Sequence, residues 1–258
     1  MREISHRCYI RVLQEIKVKN IIAYVNPNKS PNDIIMKELH IQIDNSLDLG
    51  WKKEDILFVT NFPHEHSGVK SIVVEDDTFY APFPKNSKIT ATLRLFDRGL
   101  IGDDLYWLHD IDAYQVWPFT EEDVGLDRDI GCCNYGRTKM WTAGTMFFYK
   151  RAEDIFREIM NYCDTTRYMK SEQKAMSALL GNSFDPNESG HSMSGRVKLM
   201  DISYCFTRIN LLSNYIRAEK PIKVAHFHLV PEDIDTFING KNPVGIDLLP
   251  ARFRKFFE

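Results

Sequence analysis

The sequence predicts an α/β protein with a single open, mostly parallel sheet flanked by helices. Short β-rich segments alternate with amphipathic helical segments along the 258 residues, which favours a parallel sheet covered on both faces. No Pro/Gly/Ser-rich linker and no internal repeat divides the chain, so one domain spanning residues 1–258 is expected. The 43% hydrophobic and 27% charged residues are ordinary for a globular protein.

The bulk properties argue against several classes of protein. A net charge of −3 provides no strong attraction to nucleic acid or to an anionic membrane, although a local basic patch would still permit binding. The five cysteines are scattered without a C-x-x-C pair, which fits a reducing compartment better than a disulfide framework. With no secretory signal and no apolar run of about 20 residues, we expect a cytoplasmic protein without a transmembrane segment.

The first half of the chain begins with a strand and a helix. Residues 21–25 (IIAYV) are β-rich and end at the turn signal of residues 26–31. Gly50 ends the helix that follows. One face of this helix is formed by apolar residues at every fourth position: Ile35, Leu39, Ile43 and Leu47. Further strands are expected at 56–60, 72–74 and 79–81.

The second half continues the alternation. Residues 88–97 read as a helix, and residues 105–109 (LYWLH) read as a buried strand. The remaining predicted elements are strands at 145–149, 197–201 and 223–226 and helices at about 152–162 and 172–180.

Two carboxylates, Asp110 and Asp112, follow the buried strand 105–109. In open α/β sheets the ligand site lies beyond the carboxyl ends of the strands. A hard divalent cation prefers oxygen ligands and can bridge two carboxylates to a diphosphate. An isolated Asp-x-Asp is most often a solvated turn, but the position of this pair after an apolar strand favours a metal site.

Several segments together resemble GT-A fold glycosyltransferases. Residues 88–113 (KITATLRLFDRGLIGDDLYWLHDIDA) resemble their lysine-headed helix, hydrophobic strand and D-x-D metal motif. Residues 141–148 (WTAGTMFF) resemble the small-residue segment in which a glycine, here Gly144, lets the sugar approach the backbone. Glu172 and Gln173 resemble the helix start that faces the donor sugar. Residues 225–228 (AHFH) resemble the late histidine of the glycogenin-like branch.

The resemblance implies a metal-dependent transfer of a hexose or pentose from a nucleoside diphosphate sugar to a hydroxyl acceptor. The acceptor would be a glycan, or a modified DNA base if the source is a phage. Residues of about 20–115 would bind the nucleotide sugar, and about 116–258 would face the acceptor. Asp110, Asp112 and His226 would hold Mn²⁺ or Mg²⁺, with Asp112 counted among the catalytic residues. Glu172 would be the general base of an inverting transfer or would orient the donor in a retaining one; alternatively, it only complements the helix dipole.

The histidines leave alternatives open. His226 and His228 alternate along a strand, so at most one of them faces the site, and the other possibility for each is a core histidine. An imidazole ligand would favour Mn²⁺ over Mg²⁺. His64 and His66 form an H-x-H pair that suggests zinc, but without a third ligand nearby a plain polar loop is the stronger interpretation.

Further residues are expected to bind the nucleotide sugar or the acceptor. Lys88 and Arg94 would contact the diphosphate or ribose, or else lie on a solvated helix face. Asp201 would contact the acceptor. In the glycogenin-like branch a lysine after the histidine binds the diphosphate, and whether Lys241 does so here is open. The aromatic–basic segment 251–257 would either touch a membrane or nucleic acid or pack on the domain. The remaining predicted donor-binding residues are Thr60, Asn61, Phe62, His109, Gly144 and Gln173.

Two other functions remain as alternatives. A nucleotidyltransferase that makes sugar nucleotides needs a glycine-rich loop after the first strand, but residues 26–30 contain no glycine. A catalytically silent GT-A binding module would not need the acidic pair, Glu172 and His226.

Overall fold

The computed structural model describes residues 18–29, 33–135, 140–166, 171–181, 191–207 and 212–226. The predicted sites at His228, Lys241 and 251–257 lie outside these residues. The strands β1 to β11 are, in order, Val18–Tyr24, Ile56–Thr60, Glu65–His66, Val69–Val73, Leu105–His109, Ala113–Gln115, Ile130–Asn134, Trp141–Phe148, Val197–Leu199, Phe206–Thr207 and Val224–His226. The helices α1 to α6 are Asp33–Asp48, Ser87–Asp97, Glu121–Val124, Glu153–Thr165, Glu172–Leu180 and Leu212–Arg217.

Eight strands form the main sheet in the order β3-β4-β2-β1-β5-β8-β7-β9. Strands β3 and β8 run antiparallel to their neighbours, and the others share one direction. The predicted open, mostly parallel sheet is therefore confirmed. A second sheet, β10-β11-β6, has three strands and lies at the carboxyl end of β5.

Side chains of β5 alternate between the two faces of the main sheet. Tyr106 and Leu108 pack in a core with residues of α2, α4 and α5. Leu105 and Trp107 pack in a second core with Leu39 and other residues of α1. Because successive strand residues point to opposite faces, a strand covered on both sides must be apolar throughout, which explains the sequence of β5.

Most predicted elements are present, and three of the differences concern the main sheet. The predicted strand at 79–81 is wrong, and these residues follow a 3-10 turn, Asp76–Thr78. The prolines at 82 and 84 cannot donate the hydrogen bonds of a strand ladder. Strand β7 was not predicted, because its sequence (IGCCN) lacks a clear alternation. Strand β8 begins four residues earlier than the predicted 145 and runs antiparallel to β5. Among the described helices, none has the length and apolarity required to cross a bilayer.

Candidate active site

The acidic pair lies where the two sheets meet. Asp110 follows β5, and its N–H donates to the Gly144 carbonyl oxygen at 3.1 Å. The chain then turns, with the Ala113 N–H donating to the Asp110 carbonyl oxygen at 3.0 Å, and enters β6. Strand β11 pairs antiparallel with β6 and sets His226 opposite Ala113. Sheet pairing therefore brings together residues that are more than a hundred positions apart in the sequence.

Asp110, Asp112 and His226 converge on one point. His226 Nε2 lies 3.4 Å from Asp110 Oδ2 and 3.2 Å from Asp112 Oδ1. One ligand atom from each residue lies within 4.8 Å of the others, and no second group of this kind occurs in the part of the chain that the structure describes. Asp112 and His226 are buried, whereas the Asp110 side chain is 31% exposed. The group therefore offers two carboxylates and one imidazole, with one carboxylate reaching outward.

The charges at this group suit a cation. Burial would lower the pKa of His226, but contacts with the Asp112 carboxylate and the Cys205 thiol raise it to about 10. A proton on the imidazole therefore helps to balance the neighbouring carboxylates when no metal ion is bound. A divalent ion would replace this proton, because metal ligation requires the neutral imidazole. The donor set thus fits a divalent metal, and its imidazole suits Mn²⁺ better than Mg²⁺.

Gly144 makes room for the histidine. A Cβ atom at position 144 would lie under 3.0 Å from Cε1 and Nδ1 of His226. Nδ1 of the same imidazole lies 3.8 Å from the Cys205 Sγ. The sequence predicted that Gly144 lets a sugar approach the backbone; in the structure the imidazole fills the space beside its α-carbon. Gly144 therefore acts on the site through the position of His226.

Lys88, at the start of α2, lies beside the acidic group. Its ammonium forms an ion pair with Asp110 and donates to the Ala143 carbonyl oxygen at 2.6 Å. Burial would lower its pKa, but the carboxylates of Asp110 and Glu172 raise it overall. Lys88 is therefore a buried cation that shares Asp110 with any bound metal.

A cavity of about 550 Å³ opens beside these residues. Asp110, Asp112, Lys88 and His226 form its polar floor, and His109 also lines it. The wall comes from the end of β1 with its following loop and from the segment leading into α2: Ala23, Tyr24, Val25, Asn26, Pro27, Phe79, Pro84, Lys85 and Ser87. The cavity lies at the carboxyl ends of β1 and β5, where the sequence predicted a ligand site.

Thr60, Asn61 and Phe62 support the cavity wall instead of lining it. The Asn61 side chain accepts from the Asn26 N–H at 2.9 Å and donates to the Asn26 carbonyl oxygen at 2.7 Å. Thr60 Oγ1 donates to the Phe62 carbonyl oxygen, and the Phe62 ring packs edge-on against Tyr24. These residues hold the loop after β1 and meet the cavity only through their contacts with Tyr24 and Asn26.

Glu172 and Gln173 begin α5 next to Lys88. Glu172 is 3% exposed, and its Oε2 has no hydrogen-bond partner among the described residues. Its N–H donates to Asn86 Oδ1 at 3.2 Å, which ties α5 to the segment before α2. Gln173 Nε2 donates to the Tyr135 hydroxyl at 2.6 Å. A buried carboxylate oxygen without a partner is costly, so Glu172 is placed for a group that the described residues do not supply.

The other predicted residues have structural partners. Burial lowers the pKa of His109 to about 4, and its nitrogens lie 2.9 Å from Asn20 Oδ1 and from the Asp110 carbonyl oxygen. Arg94 is directed away from the cavity, with Nη2 at 2.9 Å from Asp77 Oδ1. Asp201 accepts from the N–H of Ser203 at 2.7 Å and does not line the cavity. The structure thus brings Arg94 and Asp201 to no shared site with the acidic pair.

The polar face of α1 also contacts the site, and it was not predicted from the sequence. Gln42 Nε2 donates to the carbonyl oxygens of Ile111 at 2.7 Å and Ala113 at 3.0 Å and so fixes the acidic loop. One turn earlier, Glu38 is buried, and this burial, together with Asp112, raises its pKa to about 7. In the sequence this face is indicated by polar residues at helical spacing beside the apolar stripe of α1: Glu38, Gln42, Asn45 and Ser46.

Comparisons with known proteins identify the fold. No protein-family model matches the chain, and no curated sequence is significantly similar to it. The galactosyltransferase LgtC, solved with donor and acceptor sugar analogues, matches with a TM-score of 0.50 and 16% identity over 92% of this chain and 99% of its own. A glycosyltransferase involved in glycosylation of the major capsid of PBCV-1 matches with a TM-score of 0.51 and 12% identity over 84% and 97%.

A larger protein also matches. The glycosyltransferase GlyE of Streptococcus pneumoniae TIGR4 gives a TM-score of 0.53 and 11% identity, covering 84% of this chain and 55% of GlyE. The chain thus spans about half the length of that protein. At these identities the likeness establishes the fold, which is the GT-A glycosyltransferase fold that the D-x-D resemblance implied.

Proposed function

We propose that this protein is a metal-dependent glycosyltransferase that moves a sugar from a nucleoside diphosphate sugar to a hydroxyl acceptor. The observation that carries the proposal is the group of Asp110, Asp112 and His226, which opens onto a cavity at the carboxyl ends of the parallel strands. Its occurrence in a GT-A fold supports sugar transfer over the other reactions of α/β proteins.

Asp110, Asp112 and His226 would hold the divalent ion, and the imidazole favours Mn²⁺ over Mg²⁺. Such an ion neutralises the charge that develops on a departing nucleoside diphosphate. The partly exposed carboxylate of Asp110 lies on the cavity side of the group, where a diphosphate would enter. Lys88 adds a positive charge beside the same carboxylate.

Glu172 would work at the sugar. Its unpartnered oxygen is positioned either to accept the proton of the acceptor hydroxyl or to accept a hydrogen bond from a donor-sugar hydroxyl. The burial of Glu172 supports both roles, because a hydrogen bond is strongest where water is excluded. The two roles correspond to an inverting and a retaining transfer.

The cavity supports a division of the chain into a donor part and an acceptor part. Apart from His226, its lining residues lie between 23 and 112, which supports a nucleotide-sugar site formed by residues of about 20–115. Residues after 115 would then face the acceptor. A saccharide acceptor fits better than modified DNA, because the net charge is −3 and LgtC was solved with an acceptor sugar analogue.

A donor screen tests the proposal. The protein is incubated with a panel of nucleoside diphosphate hexoses and pentoses in Mn²⁺, in Mg²⁺ and in EDTA, and release of nucleoside diphosphate is measured. We expect metal-dependent release from one donor class, lost in Asp112→Asn and kept in Asp127→Asn, whose aspartate is 71% exposed. Pyrophosphate production from a sugar phosphate and a nucleoside triphosphate would indicate a nucleotidyltransferase instead. Binding of no donor would indicate a silent module.

A further inference from the structure

Three of the eight histidines lie together outside the cavity. His40 comes from α1, and His64 and His66 come from the segment around β3. His40 Nε2 lies 2.9 Å from His64 Nε2. The His66 ring stacks on His40 with 3.8 Å between ring centroids and 5° between ring planes. The H-x-H pair of the sequence thus gains, through the fold, the third histidine that it lacked.

An aspartate lies beside the third ring. His66 Nε2 lies 3.0 Å from Asp44 Oδ2, and Asp44 also accepts from Ser67 Oγ at 2.6 Å. Asp44 is four residues after His40 and therefore lies on the same face of α1. A carboxylate this close places a negative charge beside the histidines, which favours the binding of a cation at this cluster.

We propose that His40, His64 and His66 form a binding site for a transition-metal cation of the zinc class, separate from the acidic site. Imidazole nitrogens are good ligands for Zn²⁺, Ni²⁺ and Cu²⁺ and poor ones for Mg²⁺, so the two sites differ in the ions that they select. Two ring nitrogens already face each other, one on each side of the space between α1 and β3. The third ring is stacked on His40 and would turn out of this stack to join them; its side chain is 24% exposed.

The protonation of the cluster agrees with this role. Burial and the neighbouring histidines lower the pKa of His40, and burial and His66 lower that of His64. Both rings are therefore neutral near pH 7, and for both Nε2 atoms to bind a metal ion the ring that donates between them needs only to change its tautomer.

Metal at this cluster would join α1 to the hairpin of β3 and β4. Helix α1 also carries Gln42, which holds the acidic loop through the carbonyl oxygens of Ile111 and Ala113. Because a ligand that binds only the folded state stabilises it, saturation of the cluster would raise the melting temperature by several degrees.

The test is a metal titration of the untagged full chain with the acidic site removed by Asp110→Asn and Asp112→Asn. Co²⁺ is the probe, since its visible absorption reports nitrogen ligation, and Zn²⁺ is then added in competition. We expect one Co²⁺ per chain, displaced by Zn²⁺ and not by excess Mg²⁺. In the same background, His64→Asn and His40→Gln should each weaken binding at least tenfold.

A matched control separates the cluster from histidines in general. His191→Asn alters a partly buried histidine elsewhere and should leave Co²⁺ binding unchanged. Melting curves in EDTA show whether each variant is folded, so that loss of binding is not confused with unfolding. No Co²⁺ binding by the folded parent would overturn the proposal, as would equal affinity in the folded His64→Asn and His40→Gln variants. Neither result bears on the glycosyltransferase proposal, which rests on the acidic site.

Discussion

Replacing Gly144 with alanine tests how the acidic site is assembled. The added methyl group would lie under 3.0 Å from Cε1 and Nδ1 of His226, closer than real Cβ contacts. To regain van der Waals contact the ring must retreat by about 1 Å. A shift of that size exceeds the roughly 0.2 Å within which metal–ligand distances are held. The imidazole would therefore be lost as a ligand, while Asp110 and Asp112 remain.

The expected magnitude follows from this displacement. Misplacing a ligand through a neighbouring residue typically weakens metal binding about 10- to 100-fold. We expect Gly144→Ala to weaken Mn²⁺ affinity within this range, measured by calorimetric titration, and to lower activity at limiting metal. Excess Mn²⁺ should restore part of the activity. Crowding in this buried strand should also cost about 1–3 kcal/mol of folding free energy.

Gly102→Ala is the matched control for this substitution. A Cβ atom there would meet Tyr106 Oη at 3.7 Å and Asp104 Oδ2 at 3.9 Å, which are ordinary contacts. This control should bind Mn²⁺ with unchanged affinity. Full Mn²⁺ affinity in a folded Gly144→Ala variant would mean that His226 is not a metal ligand or that its position does not matter.

Three further predictions concern the same region. Glu172→Gln should lower turnover by about 10²- to 10⁴-fold with Mn²⁺ affinity unchanged, whereas a structural role would lower the melting temperature instead. Glu38→Gln should become increasingly stabilising, relative to the wild type, as the pH rises from 4.5 through 7 in EDTA. Burial raises the pKa of Glu38 to about 7 in the folded protein. The neutral carboxyl group therefore stabilises the fold fully below the unfolded pKa. Up to about 3 kcal/mol of this stability is lost as the pH rises through the folded pKa. A urea-denaturation series at several pH values measures this difference, and a constant difference would contradict it. Mn²⁺ binding at pH 7 should release close to one proton, because the pKa of His226 is about 10 in the metal-free protein. Calorimetry in buffers of different ionisation enthalpy counts that proton, and a count of zero would contradict protonation of His226.

The sequence predicted the centre of this fold well, because local pattern determines it. Strand β5 is apolar on both faces and is followed by the acidic pair, so its burial and the position of Asp110 could both be inferred. Helix α5 has the predicted bounds, and α2 begins one residue earlier than predicted. The short strands β6, β10 and β11 depend on pairing between distant segments, and of these only β11 was anticipated.

Long-range packing explains what could not be predicted at the site. Spacing alone did not reveal that the ring of His226 lies against Gly144, because the two residues meet only after β11 pairs with β6. Gln42 and Glu38 were not singled out in the sequence, although they are buried beside the acidic loop. Lys88 was expected to contact the diphosphate or ribose or else to lie on a solvated helix face, and it is found buried in an ion pair with Asp110.

The proposed function requires that Asp110, Asp112 and His226 bind a divalent ion together with a nucleoside diphosphate. Electron paramagnetic resonance of free Mn²⁺ during titration with the protein tests it most directly. We predict one bound Mn²⁺ per chain, held more tightly when a nucleoside diphosphate is present, with binding lost in Asp112→Asn and kept in Asp127→Asn. Equal Mn²⁺ binding by a folded Asp112→Asn variant and the wild type would contradict the account.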